Sequence, residues 1–236
     1  MKALGSIAYA AVGTAVVLAV FLLLPAGLVS GGTWIWPDGL AAVAVAAAMQ
    51  AAGAALLSVL KPASLEVRNQ SIVAAKDKKQ PLADKVVSVA ISTYFCALLV
   101  FMPLDVFWLR LLPQPSRIIA GAGACVAMIG LALMYVVLLE NEFAAPNVQD
   151  QSAQGQRLID KGLYGLVRHP FYAAGTMMIC GLSLWLKSYA ALIAVSGLMV
   201  FLLTRIVVEE AYLRQNLAGY VEYTKRVRSR LIPFLF

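Results

Sequence analysis

The sequence predicts an all-α protein: a polytopic membrane helix bundle of about six transmembrane passes, closing with a C-terminal helical hairpin and an interfacial amphipathic helix. Three observations lead there. Of 236 residues, 61% are hydrophobic and 13% are charged, whereas soluble domains carry about 25% charged residues. The apolar residues come in long runs, about the 20 residues that a helix needs to cross the hydrocarbon core. The basic residues behind the net charge of +7 gather between those runs. That arrangement is a topology signal rather than a nucleic-acid surface.

The first run is Ile7 to Val29. It is too long for the h-region of a signal peptide and shows no clear A-x-A cleavage site, so it reads as an uncleaved helix. Gly39 to Leu60 is the second, Ala-rich, with Gln50 as its one strongly polar residue. Val86 to Trp108 is the third, ending near Pro103 and Asp105, and Ile118 to Leu139 is the fourth. Phe171 to Val208 is long enough for two passes, with a break at Lys187, Ser188 and Tyr189. Helices are the expected form because backbone groups in lipid must pair within their own segment, and no alternating barrel pattern occurs.

Orientation follows from the basic residues. Lys2, the loop Lys61 to Lys85, the segment Arg157 to Arg168 and the end Arg205 to Arg230 fall on one side if the helices alternate. Arg110, Arg117 and Lys187 fall on the other. The crowded side is then cytoplasmic, with both termini. The loop Lys61 to Lys85 reads as a solvated basic loop touching anionic lipid, or as a short interfacial helix. Glu209 to Arg230 alternates apolar and basic residues at helical spacing, which suits a helix leaving the membrane along its surface. Cys96, Cys125 and Cys180 lie far apart in apolar runs and read as small buried hydrophobes. No disulfide framework or metal site is expected. The whole chain, 1–236, reads as a single domain.

Two polar stretches stand beside apolar helices. The first is Gln156 to Tyr172, which holds the lone histidine, His169, between Arg168 and Pro170. Pro170 fits the first turn of a helix. Arg168 and His169 then sit at a helix N-terminus, which favours an anion or a carboxylate. Gly162 and Gly165 permit a tight turn before it, and Gly175 permits close approach of a ligand. The same residues also suit a headgroup anchor, and both readings stand. The second stretch is Arg205 to Tyr223. Arg205 and Glu209 are four apart and share a helix face. The adjacent acids Glu209 and Glu210 near lipid suit a water-filled pocket holding an ammonium or sulfonium, or else a surface ion pair. A two-pass hairpin would bring both stretches to one membrane face, as one pocket for a zwitterionic ligand with an aromatic base.

The stretch KGLYGLVRHPFYAAG, then Gly181, Leu184 and Ser188, then RIVVEEAYL, GYVEYTKRV and RLIP, resembles the isoprenylcysteine carboxyl methyltransferase family. The phospholipid N-methyltransferases share part of the pattern. The resemblance covers Gln156 to Pro233 and does not extend to the first two helices. It implies S-adenosylmethionine as cofactor and divides the chain into membrane helices, 1–139, and a cofactor-binding and catalytic region, 140–236. Gln156, Gly162, Tyr164, Val167, His169, Pro170, Tyr172, Gly175 and Glu210 would serve the cofactor. Arg205 would orient an acceptor carboxylate, and Glu209 would join it in catalysis. Either of the paired acids would hold the cofactor's amino group. Leu163 departs from the family's usual Pro, and Gly165 from its frequent Arg.

The implied reaction is carboxyl methylation of an isoprenylcysteine-like or small isoprenoid or lipid acceptor in a prokaryotic inner membrane, with the bilayer and that acceptor as partners and no nucleic acid or metal. Two other enzyme readings remain: phospholipid N-methylation, and NADPH-dependent reduction of the sterol-reductase type, since fold kinship does not decide chemistry. A transporter is a poorer fit, because the ionisable groups gather at one interface rather than at the midplane.

Overall fold

A computed structural model describes residues 2–31, 35–62, 82–143 and 156–233. Among the described residues the structure is helical, with no strand. The two readings of the Lys61 to Lys85 loop fall mostly on residues 63–81, outside the described residues.

Among the described residues, five stretches are long and apolar enough to cross a membrane: Ile7–Val29, Pro37–Leu60, Asp84–Leu109, Arg117–Glu140 and Tyr189–Asn216. The first comprises α1, Lys2–Leu18, a π turn at Ala19–Leu23, and α2, Leu24–Val29. Pro25 explains the π turn, since it lacks an N–H and its ring crowds the carbonyl of Phe21. α3 is Pro37–Leu60. α4, Leu82–Leu104, carries Pro103 inside it and runs on as a second π turn, Asp105–Leu109, in which the Arg110 N–H donates to the Asp105 carbonyl at 2.8 Å. α5 is Arg117–Glu140, capped by the Ser116 side chain, which accepts from the Ile119 N–H.

The expected hairpin is present. α6 is Pro170–Trp185 and α7 is Tyr189–Asn216, with the break centred on Lys187. α6 has 16 residues, about 24 Å of helix, shorter than the ~30 Å hydrocarbon core. It packs closely on α5 through small residues. A Cβ added to Gly123 would lie 2.7 Å from the Trp185 nitrogen, and one on Gly130 would lie 2.6 Å from the Met178 nitrogen. The two backbones touch there, as small residues allow in membranes.

The end of the bundle remote from His169 is closed by polar locks. Buried Asp105 accepts from the Ser188 hydroxyl at 2.7 Å and from the Leu111 N–H at 3.0 Å. Lys187 pairs with Asp38 at 2.6 Å. These contacts fix the start of α7 against the ends of α4 and α3.

The amphipathic C-terminal segment differs from a single helix over Glu209 to Arg230. Glu209 to Asn216 belongs to α7, the chain turns at Gly219 with φ of 81°, and α8 is the short helix Tyr220–Arg226. Tyr220 and Tyr223 are buried against Leu158, Leu213 and Leu217. After α8, the Ser229 and Arg230 carbonyls accept from the Arg168 and His169 N–H groups, each at 2.9 Å. This strap therefore occupies backbone donors just ahead of α6, where the sequence suggests an anion.

Candidate active site

The site forms where α6 begins. Its approach is a 3-10 turn, Gly162–Gly165, with Gly162 at φ of 60°. A Cβ at Gly162 would collide with the Glu140 carboxylate, and that carboxylate accepts from the Leu163 N–H at 2.9 Å. Glycine is required there on both counts. Tyr164 is held from two sides: its hydroxyl accepts from Asn141 at 2.9 Å, and its carbonyl accepts from the Tyr223 hydroxyl at 2.7 Å. Burial pushes the Tyr164 phenol up to about 12, and burial likewise raises Tyr220 and Tyr223.

The adjacent acids of α7 point to different places. Glu210 is buried at 3% exposure and gathers cations. Arg168 Nε donates to it at 2.8 Å, and His169 Nε2 lies 3.2 Å away. Arg214 and Arg230 each approach to 3.4 Å. Arg168 also donates to the Val227 and Arg228 carbonyls at 2.8 and 2.6 Å. So the carboxylate at the start of α6 is the protein's own, and it binds the α6 approach, α7 and the C-terminal strap into one knot.

Glu209 instead lines a cavity. It accepts from the Tyr172 hydroxyl at 2.7 Å. That hydroxyl accepts from Arg205 Nε at 2.8 Å, and Arg205 Nη1 donates to Asp84 at 2.7 Å and to Ser88. The chain Asp84, Arg205, Tyr172, Glu209 thus crosses from α4 through α7 and α6 and back to α7. Arg205 and Glu209 communicate through Tyr172 as well as across their helix turn. The His169 and Tyr172 rings stack with centroids 5.7 Å apart.

The cavity measures about 560 Å³, within the ~300–1,000 Å³ of small-molecule sites. Gln156, Tyr164, His169, Pro170, Tyr172, Gly175, Arg205 and Glu209, all singled out by the sequence, line it. Its deeper wall is apolar, with Phe95, Ile179, Leu198 and Leu202. Gly162, Val167 and Glu210 stand behind the wall: Gly162 serves the turn, Val167 is packed at 6% exposure, and Glu210 is enclosed by its cations. Sequence reasoning missed Asp84 and Ser88. The available signal was an acid at the foot of an apolar run, because a charge at that depth needs a partner.

Two features suit a bound cofactor. A Cβ at Gly175 would meet nothing within 4 Å, so the helix leaves open space there. Tyr220 lines the same cavity, and its buried hydroxyl has no hydrogen-bond partner among the described residues, a state that a ligand acceptor would relieve.

No curated protein matches the chain. Residues 116–218, from the N-cap of α5 to just past the end of α7, match the family model described as phospholipid methyltransferase.

Proposed function

We propose that the protein transfers a methyl group from S-adenosylmethionine to the polar head of a lipophilic acceptor. One observation carries this reading: a single cavity is polar at one end, around Glu209, Tyr172 and His169, and apolar at the other, between membrane helices. A polar donor and a lipid can meet there without either leaving its own medium. Of the two acids, Glu209 takes the cofactor's ammonium, because Glu210 is already enclosed by Arg168, Arg214 and Arg230. When bound, the cofactor supplies an activated methyl on a sulfonium. The protein's share is alignment and exclusion of water, which can supply about 7–11 kcal/mol. Tyr172 orients Glu209 and Arg205 together, and Arg205 faces the acceptor's head. The basic segments support a cytoplasmic position for this end of the bundle.

The acceptor proposed is a carboxylate on an isoprenylcysteine-like or isoprenoid lipid, held by Arg205. A second reading has its own support. Asp84 balances the Arg205 charge at 2.7 Å, and Glu209 is the carboxylate among the described lining residues. Both favour a cationic amine head, as in phospholipid N-methylation, and the matching family is described as phospholipid methyltransferase.

The test is methyl transfer from radiolabelled S-adenosylmethionine by purified protein in lipid nanodiscs, with N-acetyl-S-farnesylcysteine and phosphatidylethanolamine offered separately. Label in a base-labile ester supports carboxyl methylation, and label in the amine supports the second reading. Label in neither, with NADPH binding in place of the adenosyl ligand, sinks both.

A further inference from the structure

A second cavity, of about 440 Å³, lies beside the first, walled by α1, α3, α5 and α6. Phe95 and Met178 line both cavities. They form a shared partition of two side chains, one of them a flexible thioether that can give way. The second chamber is hydrocarbon in character, with Val17, Val45, Leu131 and Leu182 in its wall. Two of its polar members, Gln50 and Thr14, are already occupied with one another. Gln50 donates to the Thr14 hydroxyl at 3.2 Å and accepts from the Tyr135 hydroxyl. A paired amide offers little to a polar guest, whereas the walls reward each methylene placed against them.

Length points to the same occupant. The two cavities together follow α6 from Pro170 to Trp185, about 22 Å at 1.5 Å per residue. One leaflet of the hydrocarbon core is about 15 Å deep. A tail running from the polar end of the first cavity therefore needs more than one leaflet's length to reach the far wall.

We propose that the second chamber seats the distal part of the acceptor's hydrocarbon tail, threaded between Phe95 and Met178, and that it selects acceptors with long tails. The inference rests on the first cavity being the methyl-transfer site. Selectivity would then come from α1 and α3, which lie outside the stretch matching the family model.

Gly13 lines the chamber, and a Cβ there meets nothing within 4 Å. Gly13→Phe thus fills the space without moving backbone. Ala46→Phe fills it from α3 and serves as the independent variant. In nanodiscs, methyl transfer is measured to S-octyl and S-eicosyl N-acetylcysteine, and to phosphatidylethanolamines with short and long acyl chains. The readout is the long-to-short ratio of kcat/KM. The expected result is a wild-type ratio that falls about tenfold or more in each variant, a change of ~1.4 kcal/mol in relative barrier. An unchanged ratio in both variants, with transfer intact, overturns the inference and leaves the chamber to bulk bilayer lipid. Absence of transfer to every probe removes the methyltransferase reading and this inference with it.

Discussion

Asp84 and Arg205 meet at 2.7 Å, both buried, so an acid at the foot of α4 holds the guanidinium that α7 presents to the cavity. The pair joins a helix outside the family match to the helix that carries the paired acids. Removing one partner of a buried pair leaves a charge uncompensated, at a cost of about 3–5 kcal/mol. Asp84→Ala is therefore expected to lower the thermal unfolding temperature in detergent, and the double variant Asp84→Ala/Arg205→Met to recover most of it while remaining inactive. Equal destabilisation in the single and double variants would show that the pair is not the coupling element.

Tyr172→Phe removes the hydroxyl between Arg205 and Glu209 but keeps the ring against His169. Folding should survive. Misplacement of a positioned group by about 1 Å can cost ~100-fold, so kcat should fall by roughly 10- to 100-fold with a smaller change in KM. Steady-state methyl transfer gives both numbers. An unchanged kcat would take Tyr172 out of the positioning chain.

The two acids should separate cleanly. Glu209→Gln removes the charge facing the cavity and should weaken S-adenosylmethionine binding by about 10- to 100-fold, the range of a charge-assisted hydrogen bond, with little loss of stability. Glu210→Gln leaves Arg168, Arg214 and Arg230 without their shared carboxylate, and it should destabilise the fold by several kcal/mol. Calorimetric titration and thermal unfolding of both variants decide the matter. The reverse pattern would exchange the roles.

Gly175 has room for a side chain. Gly175→Ala should leave the fold intact or stabilise it by up to about 1 kcal/mol through helix propensity. Gly175→Leu should occupy the cavity and abolish adenosyl-ligand binding. Full binding by the leucine variant would place the cofactor elsewhere.

The pH dependence carries a sign. The Tyr164 phenol moves from 10.0 to about 12 on folding, so the folded state holds that proton more tightly. Its contribution to stability is complete below pH 10 and is lost as pH climbs to about 12. Tyr220 and Tyr223 shift the same way. Alkaline unfolding is thus expected in that window, and Tyr164→Phe should make the loss shallower. Thermal unfolding across that range, with tyrosinate absorbance followed in parallel, checks it.

The membrane bundle was legible in the chain because lipid imposes a one-dimensional rule: apolar runs of a set length must be helices. The Phe171 to Val208 hairpin, its break around Lys187 and the start of α6 at Pro170 follow from run length and proline chemistry alone. The motif residues His169, Tyr172, Arg205 and Glu209 were likewise readable, since polar groups beside apolar helices are few. Sequence could not separate Glu209 from Glu210. Neighbours on a helix differ by about 100° in direction, and which one faces a cavity depends on what packs against each side. Nor could it find Asp84 opposite Arg205, 121 residues away, or pair the 229–230 strap with the start of α6. Those partnerships are long-range, set by how the helices pack, and a buried charge finds its partner in space rather than along the chain.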